Sequence, residues 1–272
     1  MSKRRPTIGV FDSGFGGLTV LKALLELIPD AEYIYFGDTA RLPYGSKSVE
    51  TVARYAVEAA HYLEGQGAEL LVIACNTATA LALEQIARAA HVPVVGVIEP
   101  GAEAAASVTR NKRVVVIGTE ATVSSHAYRK ALEARGLEAR EKACPLLVPL
   151  VEEGWVEHAV TQQVAGIYLK EAFADGFHHA DTLVLGCTHY PLLRPLFEGA
   201  VRPGAKVIDS AESVARAAVQ LLNGNAAPSA PGAIPATEVR CFATDSVEKF
   251  ERLGSRFLGR PVGHVELIDL GG

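Results

Sequence analysis

The chain has 272 residues, of which 49% are hydrophobic and 21% are charged, enough apolar material for a sizeable core in one or two domains. This composition excludes intrinsic disorder, a collagen-like repeat and a coiled coil. The formal net charge of −5 provides no basic field that would attract nucleic acid or an anionic membrane, so we expect neither as a partner.

Cysteine usage and hydropathy indicate where the protein works. Four cysteines in a chain of this length are too few for a disulfide framework. No apolar stretch of signal-peptide length follows residues 1–6, and no run approaches the roughly 20 apolar residues of a membrane span. We therefore expect a cytoplasmic protein with no membrane partner.

Short β-branched runs alternate with longer Ala- and Leu-rich stretches along the chain. The predicted strands cover residues 7–10, 33–36, 70–74, 92–97, 113–117, 182–185, 206–208 and 238–242. The predicted helices cover residues 18–28, 48–64, 78–90, 124–135, 156–173, 212–222 and 246–257, and residues 223–235 are predicted to form a loop. Apolar strands without alternation, separated by helices, predict an α/β fold with mainly parallel sheets covered on both faces.

A weak internal duplication divides the chain. LVIACNT at residues 71–77 resembles LVLGCTH at residues 183–189, and another strand with a polar end precedes each of them. Two similar α/β domains that face each other across a cleft explain this pattern. We predict a first domain of residues 1–98 plus 210–272, which carries Cys75, and a second domain of residues 99–209, which carries Cys187.

Cys75 and Cys187 both follow a predicted strand. Ligands of open parallel sheets bind outside the carboxyl ends of the strands, so facing domains would bring the two thiols to one cleft. A thiol just before a helix feels the positive end of the helix dipole, from which we expect a lowered pKa. Cys144 and Cys241 lack polar neighbours of this kind and are interpreted as buried structural residues.

His189 lies two residues after Cys187, where an imidazole can act as a general acid or set the charge of the thiol. The same histidine also fits an ordinary turn residue bonded to backbone. The pair by itself suits a nucleophilic hydrolase as well as a proton-transfer enzyme. The spacing of Cys75, Cys187 and His189 matches no zinc site, so no metal is expected.

The loop DSGFGG at residues 12–17 joins the first predicted strand to a helix. Backbone N–H groups of such a loop can bind an anion, but its glycine spacing matches neither a P-loop nor a dinucleotide fingerprint. Asp12 is a candidate for binding an ammonium group or supporting a thiol, and Ser13 for bonding to a carboxylate. Glu152 and Glu153 are interpreted as a solvated helix end.

Six motifs together resemble the glutamate racemase family. They are FDSGFGGL at 11–18, YFGDTARLPYG at 35–45, ACNTATA at 74–80, PVVGVIEPG at 93–101, CPLLVPLVEEG at 144–154 and LVLGCTHYPLL at 183–193. The resemblance runs in order to about residue 213, and the C-terminal segment adds little to it. Phe15 stands where the resemblance implies a smaller residue.

The resemblance implies a racemase that uses two cysteines and no cofactor, works as a homodimer and supplies D-glutamate for peptidoglycan. Cys75 would remove the α-proton of D-glutamate and Cys187 that of L-glutamate, assisted by Asp12, His189 and Glu152. The implied substrate contacts are Asp12, Ser13, Asn76, Thr77, Thr119, Thr122, Thr188 and His189. Pro43, Tyr44 and Gly45 would hold the side-chain carboxylate.

Three alternatives remain open at this point. A racemase for aspartate or another acidic amino acid would share the two thiols and differ in the pocket around Tyr44. A hydrolase or acyl transferase would use Cys187 and His189 and leave Cys75 unexplained. A two-lobed binding protein would hold an acidic metabolite without exchanging its α-proton. A pyridoxal phosphate enzyme is disfavoured because no lysine lies in a recognisable Schiff-base context.

Overall fold

Residues 5–222 and 239–270, which the computed structural model describes, form two parallel sheets flanked by helices. The strands are β1 Thr7–Asp12, β2 Glu32–Gly37, β3 Leu70–Ile73, β4 Val94–Gly96, β5 Arg113–Gly118, β6 Glu138–Ala143, β7 Thr182–Gly186, β8 Lys206–Ile208, β9 Val239–Ala243 and β10 Val265–Leu267. The helices are α1 Leu18–Leu27, α2 Val49–Gly65, α3 Asn76–Ala89, α4 Ile98–Val108, α5 Glu120–Ser124, α6 Ala127–Glu133, α7 Leu147–Glu152, α8 Ala159–Ala172, α9 Arg194–Ala200, α10 Ala211–Leu221 and α11 Val247–Leu258. Short 3-10 helices cover Thr39–Arg41, Tyr44–Ser46 and Tyr190–Leu193.

The two sheets differ in size but share one pairing pattern. The six-stranded sheet has the order β10-β9-β2-β1-β3-β4 and the four-stranded sheet the order β6-β5-β7-β8, and the strand pairs in both are parallel. This confirms the predicted α/β class. The domain division at residues 99 and 210 stays a prediction.

Strand pairing brings the polar strand ends together. In the larger sheet β1 pairs with β3, with Phe11 opposite Ile73, so that Asp12 and Cys75 follow neighbouring strands. In the smaller sheet β5 pairs with β7 in the same way, with Ile117 opposite Leu185. Because the strands are parallel, all these polar residues emerge at one edge of their sheet.

Helices cover both faces of the strands and join the two sheets. Helix α10 packs against α1 and α4, and α3 packs against α5. One continuous apolar core contains central strand residues of both sheets, such as Val10, Val72, Val116 and Val184. Burial on both faces explains why these strands are apolar throughout. Within the described residues, none of the helices has the length and apolar character needed to cross a membrane.

The predicted helix over residues 124–135 is wrong, because two shorter helices occupy this region. Helix α5 ends at Ser124, and α6 begins at Ala127 after His126 adopts a left-handed backbone with φ of 55°. A residue in this conformation cannot continue a right-handed helix, so the chain changes direction there.

Two strands and three helices are absent from the sequence prediction. Strand β6 reads EAREKA and is half-buried at the edge of its sheet, and β10 lies at the edge of the other sheet, so neither needs a fully apolar run. Helices α4, α7 and α9 each carry a proline in the first turn, where the missing N–H would have no helical partner. The predicted loop over residues 223–235 lies outside the described residues, as does residue 238 of the eighth predicted strand.

The larger sheet packs closely against the loop after β1 at Gly37, the last residue of β2, and a substitution there can test this packing. A Cβ added at Gly37 would meet the Gly14 carbonyl oxygen and lie 2.6 Å from Cε2 of Phe250. Since backbone cannot yield cheaply, we expect Gly37→Ala to lower the free energy of unfolding by about 1–3 kcal/mol in urea titrations. Gly166→Ala, in open space on α8, is the control and should be stabilising by about 0.5–1 kcal/mol. Equal stability of the two variants would contradict this packing.

Candidate active site

A cavity of about 470 Å³ lies where the carboxyl ends of the two sheets meet. Its lining includes these residues singled out in the sequence: Ser13, Pro43, Tyr44, Gly45, Cys75, Asn76, Thr77, Thr119, Glu152, Cys187, Thr188 and His189. Asp12 and Thr122 are fully buried behind that lining. A larger hollow of about 930 Å³, between α1, α4 and α10, contains neither thiol. The smaller cavity is therefore the candidate site.

Cys75 sits at the N-terminus of α3 and has neutral polar partners. Its thiol donates to the Ser13 hydroxyl at 3.5 Å, and its sulfur accepts from the Ala78 N–H at 3.4 Å. Burial, together with the Asp12 carboxylate, raises the pKa of Cys75 to about 12, although the bonds from Ser13 and Ala78 act in the opposite direction. The expected lowered pKa is therefore wrong for Cys75, because loss of water outweighs the helix N-terminus.

Cys187 follows β7 and has a titratable partner. Its sulfur lies 3.9 Å from Nδ1 of His189, and the 3-10 helix Tyr190–Leu193 begins just beyond. Both thiols are 5% exposed and line the same cavity. The two sheets thus each contribute one thiol, with a hydroxyl beside one and an imidazole beside the other.

His189 is the buried end of a series of charged groups. Its Nε2 lies 3.3 Å from Oε1 of Glu152, and Oε2 of Glu152 accepts from Nζ of Lys249 at 3.2 Å. Burial alone would lower the pKa of His189, but its bonds to Cys187 and Glu152 prevail and raise the pKa to about 10. Burial alone would raise the pKa of Glu152, but His189 and Lys249 hold it below its usual range. This arrangement favours an imidazolium beside a carboxylate.

The interpretation of Glu152 as part of a solvated helix end is wrong. Its side chain is 16% exposed and faces the cavity from the end of α7, whereas Glu153 beside it is exposed. The ordinary turn role considered for His189 does not match its side-chain bonds either. The alternation of one inward and one outward carboxylate at a helix end is decided by packing, which the sequence pair alone does not reveal.

Asp12 supports the cavity from behind. Its carboxylate accepts from the Gly14 N–H at 2.9 Å and from the Thr188 hydroxyl at 3.5 Å. Burial raises its pKa, while the charge of His189 and the backbone N–H groups of Gly14 and Gly17 lower it. Asp12 therefore joins the loop after β1 to the residue that follows Cys187, and so links the ends of the two sheets.

Uncharged hydrogen-bonding groups line the same cavity as the thiols. The hydroxyls of Thr77 and Thr119 are 2.9 Å apart, and both also contact the Thr122 hydroxyl, at 3.3 and 2.9 Å. Asn76 accepts from the Tyr128 hydroxyl at 2.8 Å, which fixes its amide. These contacts join residues that follow strands of the smaller and larger sheets and place uncharged hydrogen-bonding groups at the cavity.

Asp38 anchors the 43–45 segment and is a functional candidate that the sequence motifs do not single out. It is fully buried and accepts from the Tyr44 hydroxyl, from Nε of Arg41 at 2.9 Å and from the Thr244 hydroxyl at 3.0 Å. A carboxylate directly after a buried strand, inside the quoted GDTARLPYG stretch, is the signal that could have identified it.

The C-terminal helix α11 also reaches the cavity, although its sequence adds little to the resemblance. Ser246 and Lys249 line the cavity. Phe250 and Phe257 pack against Phe15, with ring centroids 6.2 and 6.0 Å away. The large side chain at position 15 is therefore accommodated by aromatic residues of α11.

Comparison with known proteins identifies the family. A family profile described as Asp/Glu/Hydantoin racemase matches residues 8–218. A protein named glutamate racemase from Koribacter versatilis is 59% identical over 291 aligned positions and covers 100% of both chains. The chain therefore belongs to the Asp/Glu/hydantoin racemase family, which confirms the resemblance seen in the motifs.

Solved structures agree with this assignment. A crystal structure of glutamate racemase from Bacillus anthracis has a TM-score of 0.88 and 37% identity, covering 97% of this chain and 98% of that chain. A second, from Francisella tularensis in complex with D-glutamate, has a TM-score of 0.86 and 35% identity, covering 98% of both chains. The predicted fold is shared along almost the whole length of the chain.

Asp38→Asn should weaken substrate binding more than turnover. The substitution removes the charge that Arg41 neutralises and loosens the hold on Tyr44, so we expect KM to rise about tenfold, with a smaller change in kcat and a lowered Tm. Glu58→Gln is the matched control, because Glu58 is the second and more exposed carboxylate partner of Arg41. Equal effects of the two variants in steady-state kinetics would show that Asp38 has no special role.

The raised pKa of His189 should make stability depend on pH. A group whose pKa is higher in the folded state favours folding while it is protonated. Its contribution is present below its usual pKa of 6.5 and is lost as the pH rises towards about 10. We expect Tm to fall across this range more steeply for the unmodified chain than for His189→Asn. Parallel slopes in thermal melts would contradict the raised pKa.

Proposed function

We propose that the chain interconverts L- and D-glutamate without a cofactor, with Cys75 and Cys187 as the acid–base groups on opposite faces of the α-carbon. Membership of its family makes the chain a racemase, and so an isomerase. The observation that carries the two-thiol mechanism is the position of both thiols on one cavity, each at a strand end of a different sheet. The relatives' names support glutamate as the substrate.

The proposed reaction moves one proton on each face of the substrate. With L-glutamate, the Cys187 thiolate removes the α-proton and becomes a thiol, and the carbanion takes a proton from the Cys75 thiol to give D-glutamate. With D-glutamate, the two cysteines exchange roles. Inversion requires a proton donor and a proton acceptor on opposite sides of the α-carbon. A single base would reach only one face of the bound substrate.

The charge states at the cavity suit these roles. The raised pKa of Cys75 keeps its thiol protonated near neutral pH, ready to deliver a proton to the carbanion formed from L-glutamate. His189 lies close enough to stabilise a thiolate at Cys187 through its own positive charge, which Glu152 maintains. In the reverse direction the ammonium group of bound D-glutamate supplies a positive charge that favours the Cys75 thiolate.

Neutral donors would stabilise the carbanion. As the α-proton leaves, negative charge spreads onto the α-carboxylate, and donors already fixed in place hold that charge without reorganising. Asn76 and Thr77 supply such groups in the cavity, with Ser13 and Thr119 in the same lining. The Thr188 hydroxyl gives its proton to Asp12, so the backbone N–H of Thr188 would be its donor. Exclusion of water from the filled cavity would strengthen each of these interactions.

The 43–45 segment would hold the side-chain carboxylate of glutamate. The Tyr44 hydroxyl already gives its proton to Asp38, so it has none to offer the substrate. Since Pro43 has no N–H group, the backbone N–H groups of Tyr44 and Gly45 are then the donors. A Cβ at Gly45 would lie 3.0 Å from that of Thr119, so the segment packs directly against the smaller sheet. The distance from this segment to the thiols would select glutamate over the shorter aspartate.

The resemblance extends the proposal to the cell. It implies a homodimer that uses no cofactor and whose D-glutamate enters peptidoglycan. The charge and hydropathy of the sequence support the cytoplasm as its location, with neither nucleic acid nor membrane as a partner, and the spacing of its cysteines and histidine favours no metal. The internal duplication supports two domains, residues 1–98 plus 210–272 and residues 99–209, and the resemblance implies that they face each other. Light scattering of the purified protein would test the dimer directly.

Proton NMR of the purified protein with L-glutamate in D2O tests the reaction. The proposed mechanism expects loss of the α-proton signal together with decay of circular dichroism to zero, without added cofactor. Exchange with aspartate but not glutamate would indicate a different acidic substrate. A covalent acyl-enzyme in mass spectra would indicate a hydrolase, and tight binding of glutamate without exchange would indicate a binding protein.

Serine substitution tests the two thiols individually. Cys75→Ser or Cys187→Ser should lower kcat by roughly a hundredfold to ten-thousandfold, because each removes one general acid–base group while the fold persists. Cys144→Ser and Cys241→Ser are the controls, since both thiols are buried outside the cavity lining. Full activity in either of the first two variants would refute the two-base mechanism.

A further inference from the structure

We propose that Lys249 is a positioning residue for the Cys187 half of the site, which it serves by holding Glu152 against His189. This inference rests on the proposed function only in assigning Cys187 an acid–base role. The arrangement of charges that supports it can be tested on the thiol itself.

Three consecutive contacts connect Lys249 to the Cys187 thiol. Lys249 Nζ lies 3.2 Å from Oε2 of Glu152, the other carboxylate oxygen lies 3.3 Å from Nε2 of His189, and Nδ1 of His189 lies 3.9 Å from the sulfur. Exposure falls along this series, from 39% for the lysine side chain through 16% for the glutamate to 6% for the histidine. The charged groups therefore lead from the mouth of the cavity to the thiol.

The ion pair joins elements of different sheets. Lys249 belongs to α11, which follows β9 of the six-stranded sheet, whereas Glu152 ends α7, which follows β6 of the four-stranded sheet. Helix α11 approaches the same segment at a second point, since a Cβ at Gly154 would meet the guanidinium of Arg256. Helix α11 thus lies along the segment that carries Glu152, and this position holds Lys249 near the carboxylate.

The ammonium group of Lys249 has a second neighbour besides Glu152. Its Nζ lies 5.7 Å from the centre of the Phe15 ring, within the range of a cation–π contact. Phe15 in turn packs on His189, with ring centroids 6.1 Å apart. The bulky residue after the first strand therefore forms a surface shared by the lysine and the histidine.

The surrounding charges determine the direction of the expected effect. Glu152 faces His189 and Lys249, while His189 faces Cys187, Glu152 and the more distant carboxylate of Asp12. Removal of the lysine charge leaves Glu152 with one cationic partner, loosens its hold on the imidazole and takes positive charge away from the Cys187 thiolate. Because the lysine is partly exposed and Glu152 keeps His189 as a partner, the effect should fall on the site more than on stability.

Cys75 provides an internal reference. Its contacts are Ser13 and Ala78, with Asp12 as the nearby charge, and none of them involves Lys249 or Glu152. A positioning role for Lys249 should therefore affect the two thiols unequally, whereas a general structural role would affect both.

Alkylation by iodoacetamide, followed thiol by thiol by peptide mass spectrometry between pH 6 and pH 9, measures this difference. Lys249→Met should slow alkylation of Cys187 about three- to tenfold near neutral pH and change Cys75 less than about twofold. Lys249→Gln should behave like Lys249→Met, and Lys249→Arg should restore the rate because it keeps the charge. Lys170→Met, which removes an exposed charge on α8, is the control and should change neither thiol.

Kinetics of a double-mutant cycle then test whether the lysine acts through Glu152. Lys249→Met should lower kcat about tenfold in the unmodified chain and have little further effect in a Glu152→Gln background. Additive effects, or equal changes at both thiols, would overturn the proposal. Selective slowing of Cys187 in a chain that fails to racemise glutamate would uphold the positioning role and reject the proposed function, so the two failures are distinguishable.

Discussion

A charge that leaves water for a protein interior needs a partner, because the desolvation penalty is on the order of several kilocalories per mole for each ion. The cavity of this protein is built around that requirement. Asp38 is neutralised by Arg41, Glu152 by His189 and Lys249, and Asp12 is held by a backbone N–H and a hydroxyl. Since these three carboxylates already have partners, the thiols and the neutral hydrogen-bonding groups of the lining are the groups that we propose act on a ligand.

This compensation makes the two thiols chemically different. Burial and the nearby Asp12 carboxylate raise the pKa of Cys75 and outweigh its bonds with Ser13 and Ala78, so that it stays a protonated thiol near neutral pH. Cys187 has an imidazole whose positive charge is maintained by a carboxylate. The duplicated strand ends therefore place equivalent atoms in unequal surroundings. The proposed reaction is compatible with these different surroundings, because in each turnover one thiolate accepts a proton and the other thiol donates one.

Much of the fold can be predicted from the sequence because local patterns agree with the final structure. The apolar runs of β3 and β7 are buried on both faces, so their sequences had to lack alternation, and the residues after them had to emerge at a sheet edge. The edge strand β6 is only half-buried and can contain charged residues. Its sequence therefore lacks the apolar run by which a buried strand is predicted. His126 interrupts the helix predicted over residues 124–135 because its backbone is left-handed. A histidine at that position does not by itself indicate this conformation.

By itself, the sequence determined the α/β class, the two thiols at strand ends and the hydroxyl and amide groups that accompany them, because these follow from residues close together along the chain. The tertiary structure decided which charges meet. Thr188 reaches Asp12 from 176 positions away, and Lys249 reaches Glu152 from 97 positions away. Contacts of this range depend on how α11 and the two sheets pack, and burial then sets the charge of each group. Local patterns in the sequence indicate neither this packing nor the loss of water that determines the charge of each group.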